Sequence, residues 1–177
     1  MNIQNKNIVI TGAANGIGHA LAKRLAEESP KSISLIDIKS SLNEVAGSLN
    51  ADSYIVDVSN ENDFQSVLKD IINKNDSIDL FCSNAGIQQF GTLETSTEDW
   101  QKNWDVNVMS HVYASKVLIP HMKKQKSGYI LLTVSAAGLL NMPGALAYAT
   151  TKHAAMGLAE NLSIMFGDDG IKVSTLC

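Results

Sequence analysis

The stretch Thr11-Gly12-Ala13-Ala14-Asn15-Gly16-Ile17-Gly18 follows a short apolar run, Ile8-Val9-Ile10, and leads into a helical pattern that includes Leu21 and Leu25. A strand, a glycine-rich turn and a helix start, in that order, restrict this part of the chain to a tight strand-to-helix crossover. Glycine permits the turn, and the new helix presents unpaired N–H groups and a partial positive charge at its first turn. That end suits a phosphate or pyrophosphate. The spacing of Gly12, Gly16 and Gly18 is G-x-x-x-G-x-G, not the common G-x-G-x-x-G. A glycine-rich turn without a ligand therefore remains open at this point.

The pattern after the turn alternates. Strand-like apolar runs occur at 8–10, 33–38, 54–58, 78–82, 129–134 and 171–176. Between them lie segments with helical spacing: Phe64, Val67, Leu68 and Ile71, then Trp100, Trp104, Val108 and Val112. Short buried strands separated by helices predict right-handed βαβ units. The expected fold is α/β, a Rossmann-type doubly wound parallel sheet of six strands, in one domain over 1–177. Thr95 followed by Glu98 reads as a capping box before the tryptophan-containing helix. Asn60 or Ser59 reads as the cap of the helix before it. Pro120 is expected to end or kink the fourth long helix.

Composition narrows the class. The chain has 177 residues, 45% hydrophobic and 18% charged, which is enough for a sizeable core and excludes a disordered chain. A net charge of −4 with no basic stripe argues against nucleic acid. Two cysteines, Cys82 and Cys177, make no disulfide framework. No apolar stretch approaches a membrane span, and the run at 8–10 is too short for a secretory segment. The expectation is a cytoplasmic protein. His19, His111, His121 and His153 lack ligand spacing, so no metal site is expected. No G-x-x-x-x-G-K-[ST] loop is present, which counts against a P-loop enzyme.

Asp37 lies 19 residues after Gly18, where a carboxylate accepts hydrogen bonds from a ribose and repels a 2′-phosphate. Asn15 and Ile38 bring no positive charge nearby, although Lys39 is one position further, so NAD is favoured over NADP. The alternative for Asp37 is a helix or turn cap. Further on come Ser135, Tyr148 and Lys152, the last two four residues apart and hence on one helix face.

With these residues the chain resembles the short-chain dehydrogenases/reductases, from about Asn5 to Cys177. Thr11 to Gly18 matches a TGxxxGxG cofactor loop, and Asp57-Val58 the pair that holds adenine. Asn84-Ala85-Gly86 matches the NAG motif, with Ser83 where a second asparagine is common. Asn107 falls at the catalytic asparagine. Ser135 lies 13 residues before Tyr148, and Tyr148 to Lys152 matches YxxxK. The resemblance implies NAD held by Gly12, Asn15, Gly16, Ile17, Gly18, Asp37, Asp57, Val58, Asn84, Ala85, Gly86, Tyr148 and Lys152. It implies catalysis by Asn107, Ser135, Tyr148 and Lys152.

The implied reaction interconverts a secondary alcohol and its ketone. Tyr148 is the general acid/base, assisted by the Lys152 ammonium, because a tyrosine titrating near 10 needs a nearby cation to work at neutral pH. Ser135 donates to the substrate oxygen, and Asn107 holds a water behind Lys152. Ile87, Gln88, Leu140 and Met142 are expected around a mostly apolar substrate. The resemblance also implies a homodimer or homotetramer, with Trp104, Met109, Val112, Met156, Leu158 and Leu162 available for contacts or for the sheet. Family members continue past the sixth strand into a mobile substrate loop and a seventh strand. On that ground the chain is read as truncated, and a non-catalytic NAD-binding or interaction module stands as the alternative.

Overall fold

The computed structural model describes residues 1–141 and 143–177. In chain order the elements are β1 (Asn7–Thr11), α1 (Gly16–Ala26), β2 (Ser32–Asp37), α2 (Leu42–Leu49), β3 (Asp52–Ile55), α3 (Glu61–Asn75), β4 (Leu80–Ser83), α4 (Thr97–Trp104), α5 (Ser110–Gln125), β5 (Gly128–Thr133), α6 (Leu146–Phe166) and β6 (Ile171–Leu176). A π-helical turn, Asp105–Met109, joins α4 to α5. The strands form one parallel sheet in the order β3-β2-β1-β4-β5-β6.

All five residues of β1 and all four of β4 are buried, because these central strands are covered on both faces. On one face Phe64, Leu68 and Ile71 of α3, Leu118 and Met122 of α5, and Ala155 and Ala159 of α6 pack against Val9, Phe81 and Ile130. On the other, Ala22 of α1 and Leu42 and Ala46 of α2 pack against Ile8, Ile10 and Leu35. Alanines at the α6 contact let that helix lie close to the sheet.

Four local expectations shift. β3 begins at Asp52, not at 54, because its ladder with β2 starts with Asp52 opposite Ser34. The chain leaves the ladder before Asp57, whose carboxylate instead accepts from the Ser59 amide and hydroxyl. Asn60 caps α3 as expected, accepting from the Asp63 amide. The α4 cap is Ser96, one residue later than Thr95, accepting from the Asp99 amide at 3.1 Å. The long helix divides at the π-helical turn, and α5 runs through Pro120 to Gln125. Pro120 and Lys116, the residue whose carbonyl loses its usual partner, are both exposed, so water can serve that carbonyl. Of the apolar helix residues, Leu162 is buried and Met156 packs on the core, whereas Trp104 is 38% exposed.

Candidate active site

The strand order reverses between β1 and β4, since β1 leads one way to β2 and β4 the other way to β5. The two outgoing loops part there and leave a crevice beyond the carboxyl ends of the strands. That crevice is a cleft of about 600 Å³, lined by Gly12, Asn15, Gly16 and Ile17, by Asp37, Ile38 and Lys39, by Asp57 and Val58, by Asn84 to Gln88, and by Thr133, Tyr148 and Lys152.

The glycine loop is tight for a steric reason. A Cβ on Gly18 would overlap the Gly12 carbonyl, so only glycine lets α1 start against β1. Gly16 is different: its φ is +56°, and a Cβ there would meet nothing within 4 Å. That backbone is open to the cleft. Asn15 precedes α1 without a side-chain cap bond, and the first turn holds no acidic residue. The helix start is therefore left for an anion.

Asp37 acts in the structure as the turn cap that the sequence left open as its alternative. Its Oδ2 accepts from the Ala14 amide at 2.9 Å and its Oδ1 from the Lys39 amide at 3.0 Å. Each oxygen keeps a further lone pair for a ligand in the cleft. The carboxylate thus ties the glycine loop to β2 and presents negative charge beside it. Val58 is buried and Ile38 is exposed, so the two apolar side chains that line this end differ in access.

Threonines connect the glycine loop to the other half of the cleft. The Thr11 hydroxyl accepts from the amides of Asn84 and Ala85, at 2.9 and 3.0 Å. Asn84 Nδ2 donates to the Thr11 carbonyl, and Asn84 Oδ1 accepts from the Thr133 hydroxyl at 3.0 Å. The Thr133 carbonyl in turn accepts from Lys152 Nζ at 3.0 Å. Lys152 is buried, and burial lowers its pKa to about 8. Its Nζ lies 5.7 Å from the centroid of the half-buried Tyr148 ring.

Asn107 is fully buried at the π-helical turn. Its Oδ1 accepts from the Ile87 amide at 2.9 Å, while its Nδ2 donates to the Ile87 carbonyl and to the Thr151 hydroxyl. A Cβ placed on Gly86 would sit 3.2 Å from Asn107 Oδ1 and 3.4 Å from Lys152 Nζ, so both polar heads flank that one glycine. Ser135 follows β5 with φ +92°, a left-handed-side torsion that strains a residue other than glycine. Its amide donates to the Leu176 carbonyl, and its Oγ accepts from the Ala137 amide at 3.2 Å. Among the described residues the Ser135 hydroxyl donates to no partner, so its proton is left to donate. Ser135 is outside the lining of the cleft that holds Tyr148 and Lys152. Met142 lies outside the described residues.

Two neighbours and one pairing were not singled out by the sequence reading. Thr133 was readable in principle, as the last residue of β5 and two positions before Ser135. Thr151, beside Lys152, was within the YxxxK stretch. The Ser83–His111 pair was not readable: its Oγ and Nδ1 are 2.6 Å apart across 28 residues. Burial, and then the charge of Lys152, lower the His111 pKa to about 3, so its imidazole is neutral. Among the described residues no group of three or more His, Cys, Asp or Glu is placed to hold a metal ion. No described helix is long and apolar enough to cross a membrane.

Comparison with known proteins agrees with this geometry. The family model for short chain dehydrogenase matches residues 6–177. The meso-2,3-butanediol dehydrogenase of Serratia marcescens is 34% identical over 181 aligned positions, which cover 100% of this chain and 72% of that protein. An NAD-bound short chain dehydrogenase/reductase from Burkholderia phymatum superposes with a TM-score of 0.94 at 32% identity, covering 100% of this chain and 66% of that one. NAD+-bound xylitol dehydrogenase gives 0.93 at 28% identity, covering 99% and 70%. The chain belongs to the short-chain dehydrogenase family.

Proposed function

We propose that the protein is an NAD-dependent oxidoreductase that interconverts a secondary alcohol and its ketone, with Tyr148 as the general acid/base. The observation that carries this reading is the placement of the Lys152 ammonium, 5.7 Å from the Tyr148 ring, in the same cleft as the open Gly16 backbone and the Asp37 carboxylate. Relatives whose names specify a butanediol dehydrogenase and an NAD-bound xylitol dehydrogenase add support from alcohol chemistry.

NAD would lie with its pyrophosphate at the start of α1, a ribose at Asp37 and its adenine between Ile38 and Val58, and its nicotinamide supplies the hydride acceptor or donor. In oxidation Tyr148 removes the hydroxyl proton; in reduction it returns one. Lys152 holds its positive charge beside the ring that carries the transferring hydroxyl. The free Ser135 proton hydrogen-bonds the substrate oxygen as negative charge develops there. Asn107 holds Ile87 and Thr151 around Lys152 and so keeps the polar path behind that ammonium in place.

The substrate is mostly apolar in this reading. Ile87 lines the cleft, and Leu139, Leu140 and Phe90 are exposed on the two loops beside it. Two free thiols fit a reducing cytoplasm. The exposed Trp104, Ile164 and Met165 fit a homodimer or homotetramer, for which light scattering at micromolar concentration should show no monomer alone.

The test follows reduced cofactor by absorbance while the protein meets NAD or NADP and a panel of secondary alcohols. Turnover with NAD and apolar alcohols is expected, and Tyr148→Phe should abolish it. Tight NAD binding without turnover of any alcohol would favour a cofactor-binding module. Faster turnover of small charged hydroxy acids would overturn the apolar substrate.

A further inference from the structure

The loop between β4 and α4 is pinned to the start of α6 by a parallel bridge of Gly91 with Ala145. The Gly91 amide donates to the Gly144 carbonyl at 2.8 Å, and the Leu146 amide donates to the Gly91 carbonyl at 3.1 Å. Leu146 opens α6, and Tyr148 follows two residues later. A helix start needs partners for its first N–H groups, and Ala145 at the cap position has no side chain to supply one. The carbonyl of Gly91 takes that part from a different loop.

Gly91 is required for space, not for torsion. It is absent from the glycines with positive φ, which are Gly12, Gly16, Gly144 and Gly170. A Cβ on Gly91 would instead overlap Thr95 Oγ1. That hydroxyl oxygen is buried and has no hydrogen-bond partner among the described residues, so it fills space beside Gly91 without holding anything else. The bridge also ties the loop that begins at Ile87 and Gln88 to the loop that carries Leu139 and Leu140.

We propose that Gly91 is a positioning residue: its bridge to Ala145 sets the first turn of α6 and thereby places the Tyr148 hydroxyl for proton transfer. This rests on the reading of Tyr148 as the general acid/base. Any residue larger than glycine at 91 pushes Thr95 away, opens the bridge and lets the first turn of α6 fray. Small displacements of a reacting group are costly in rate, while the glycine loop after β1 and Asp37 at the end of β2 do not feel the change.

The test uses the whole chain, with turnover and NAD affinity measured beside amide hydrogen exchange at Leu146. Gly91→Ala should lower kcat by about ten- to a hundredfold. It should lower NAD affinity far less than kcat, because the glycine loop and Asp37 are untouched, and speed exchange at Leu146. Thr95→Ala alone should behave as the parent. The double variant Gly91→Ala/Thr95→Ala removes the overlap and should recover both kcat and Leu146 protection, a rescue that a general loss of folding would not give. If Gly91→Ala fails to fold, Gly144→Ala replaces it. Its φ of +80° disfavours a side chain although the space there is open, and the same pattern of loss is expected. Parent-like kcat and Leu146 exchange in Gly91→Ala would overturn the proposal, as would a loss in the folded double variant equal to that of the single one. Turnover retained by Tyr148→Phe, with Leu146 still freed in Gly91→Ala, would overturn the catalytic reading and leave the bridge standing.

Discussion

Burial of the Lys152 ammonium sets two measurable quantities at once. Its pKa falls from 10.5 to about 8, so from about pH 8 to 10.5 the unfolded chain binds a proton that the folded chain does not. Stability therefore rises with pH across that window, and below about pH 8 the full cost of the buried charge is present. Lys152→Met should raise the unfolding free energy of the cofactor-free protein at pH 7 by about 1–2 kcal/mol, after about 1 kcal/mol is lost with the hydrogen bond to Thr133. Turnover should vanish, and the gain in stability should shrink by pH 10, both visible in thermal melts and assays at the two pH values. Asp37→Asn keeps one acceptor oxygen but removes the charge, so the preference for NAD over NADP should narrow by about tenfold or more in binding titrations. Asp37 was legible from its distance to the glycine loop, and in the structure its carboxylate caps that loop at the edge of the cleft. His111 was not legible, because nothing in its spacing could announce a partner on β4.

Among the elements, the start of α4 shows how two equal patterns are separated. Thr95 with Glu98 and Ser96 with Asp99 both satisfy the same capping rule. The contact of Thr95 with Gly91 turns that hydroxyl inward and leaves Ser96 to cap. Ser96→Ala should cost about 1 kcal/mol in urea unfolding, and Thr95→Ala far less. The division of the long helix had a trace in the sequence. Trp100, Trp104, Val108 and Val112 repeat every four residues, and three such steps drift about 120° around an α-helix. The wider winding of the Asp105–Met109 turn absorbs part of that drift and brings Asn107 inward. Strand and helix types were readable from apolar runs, while the early start of β3 depended on pairing with β2, which no local pattern contains.

For the molecule as a whole, acid stability should carry the mark of His111. Unfolded histidine titrates near 6.5, and the folded group only near 3, so stability is lost progressively as pH falls from 6.5 towards 3. His111→Leu should flatten that part of the stability curve, at the expense of the bond to Ser83, and melts from pH 4 to 7 would show it. The alternation of strands and helices was enough to expect a doubly wound sheet, and the observed order places the switch point between β1 and β4 as such a sheet requires. The hydrogen bonds from Thr11 through Asn84 and Thr133 to Lys152 run across β1, β4 and β5. Neighbouring strands stand about 4.8 Å apart, so that path spans two strand steps, about 10 Å. The sheet is thus a ruler for the distance between the phosphate end and the reacting end of the cleft. Loops beyond the strands can change length and sequence to admit a different substrate without altering that measure.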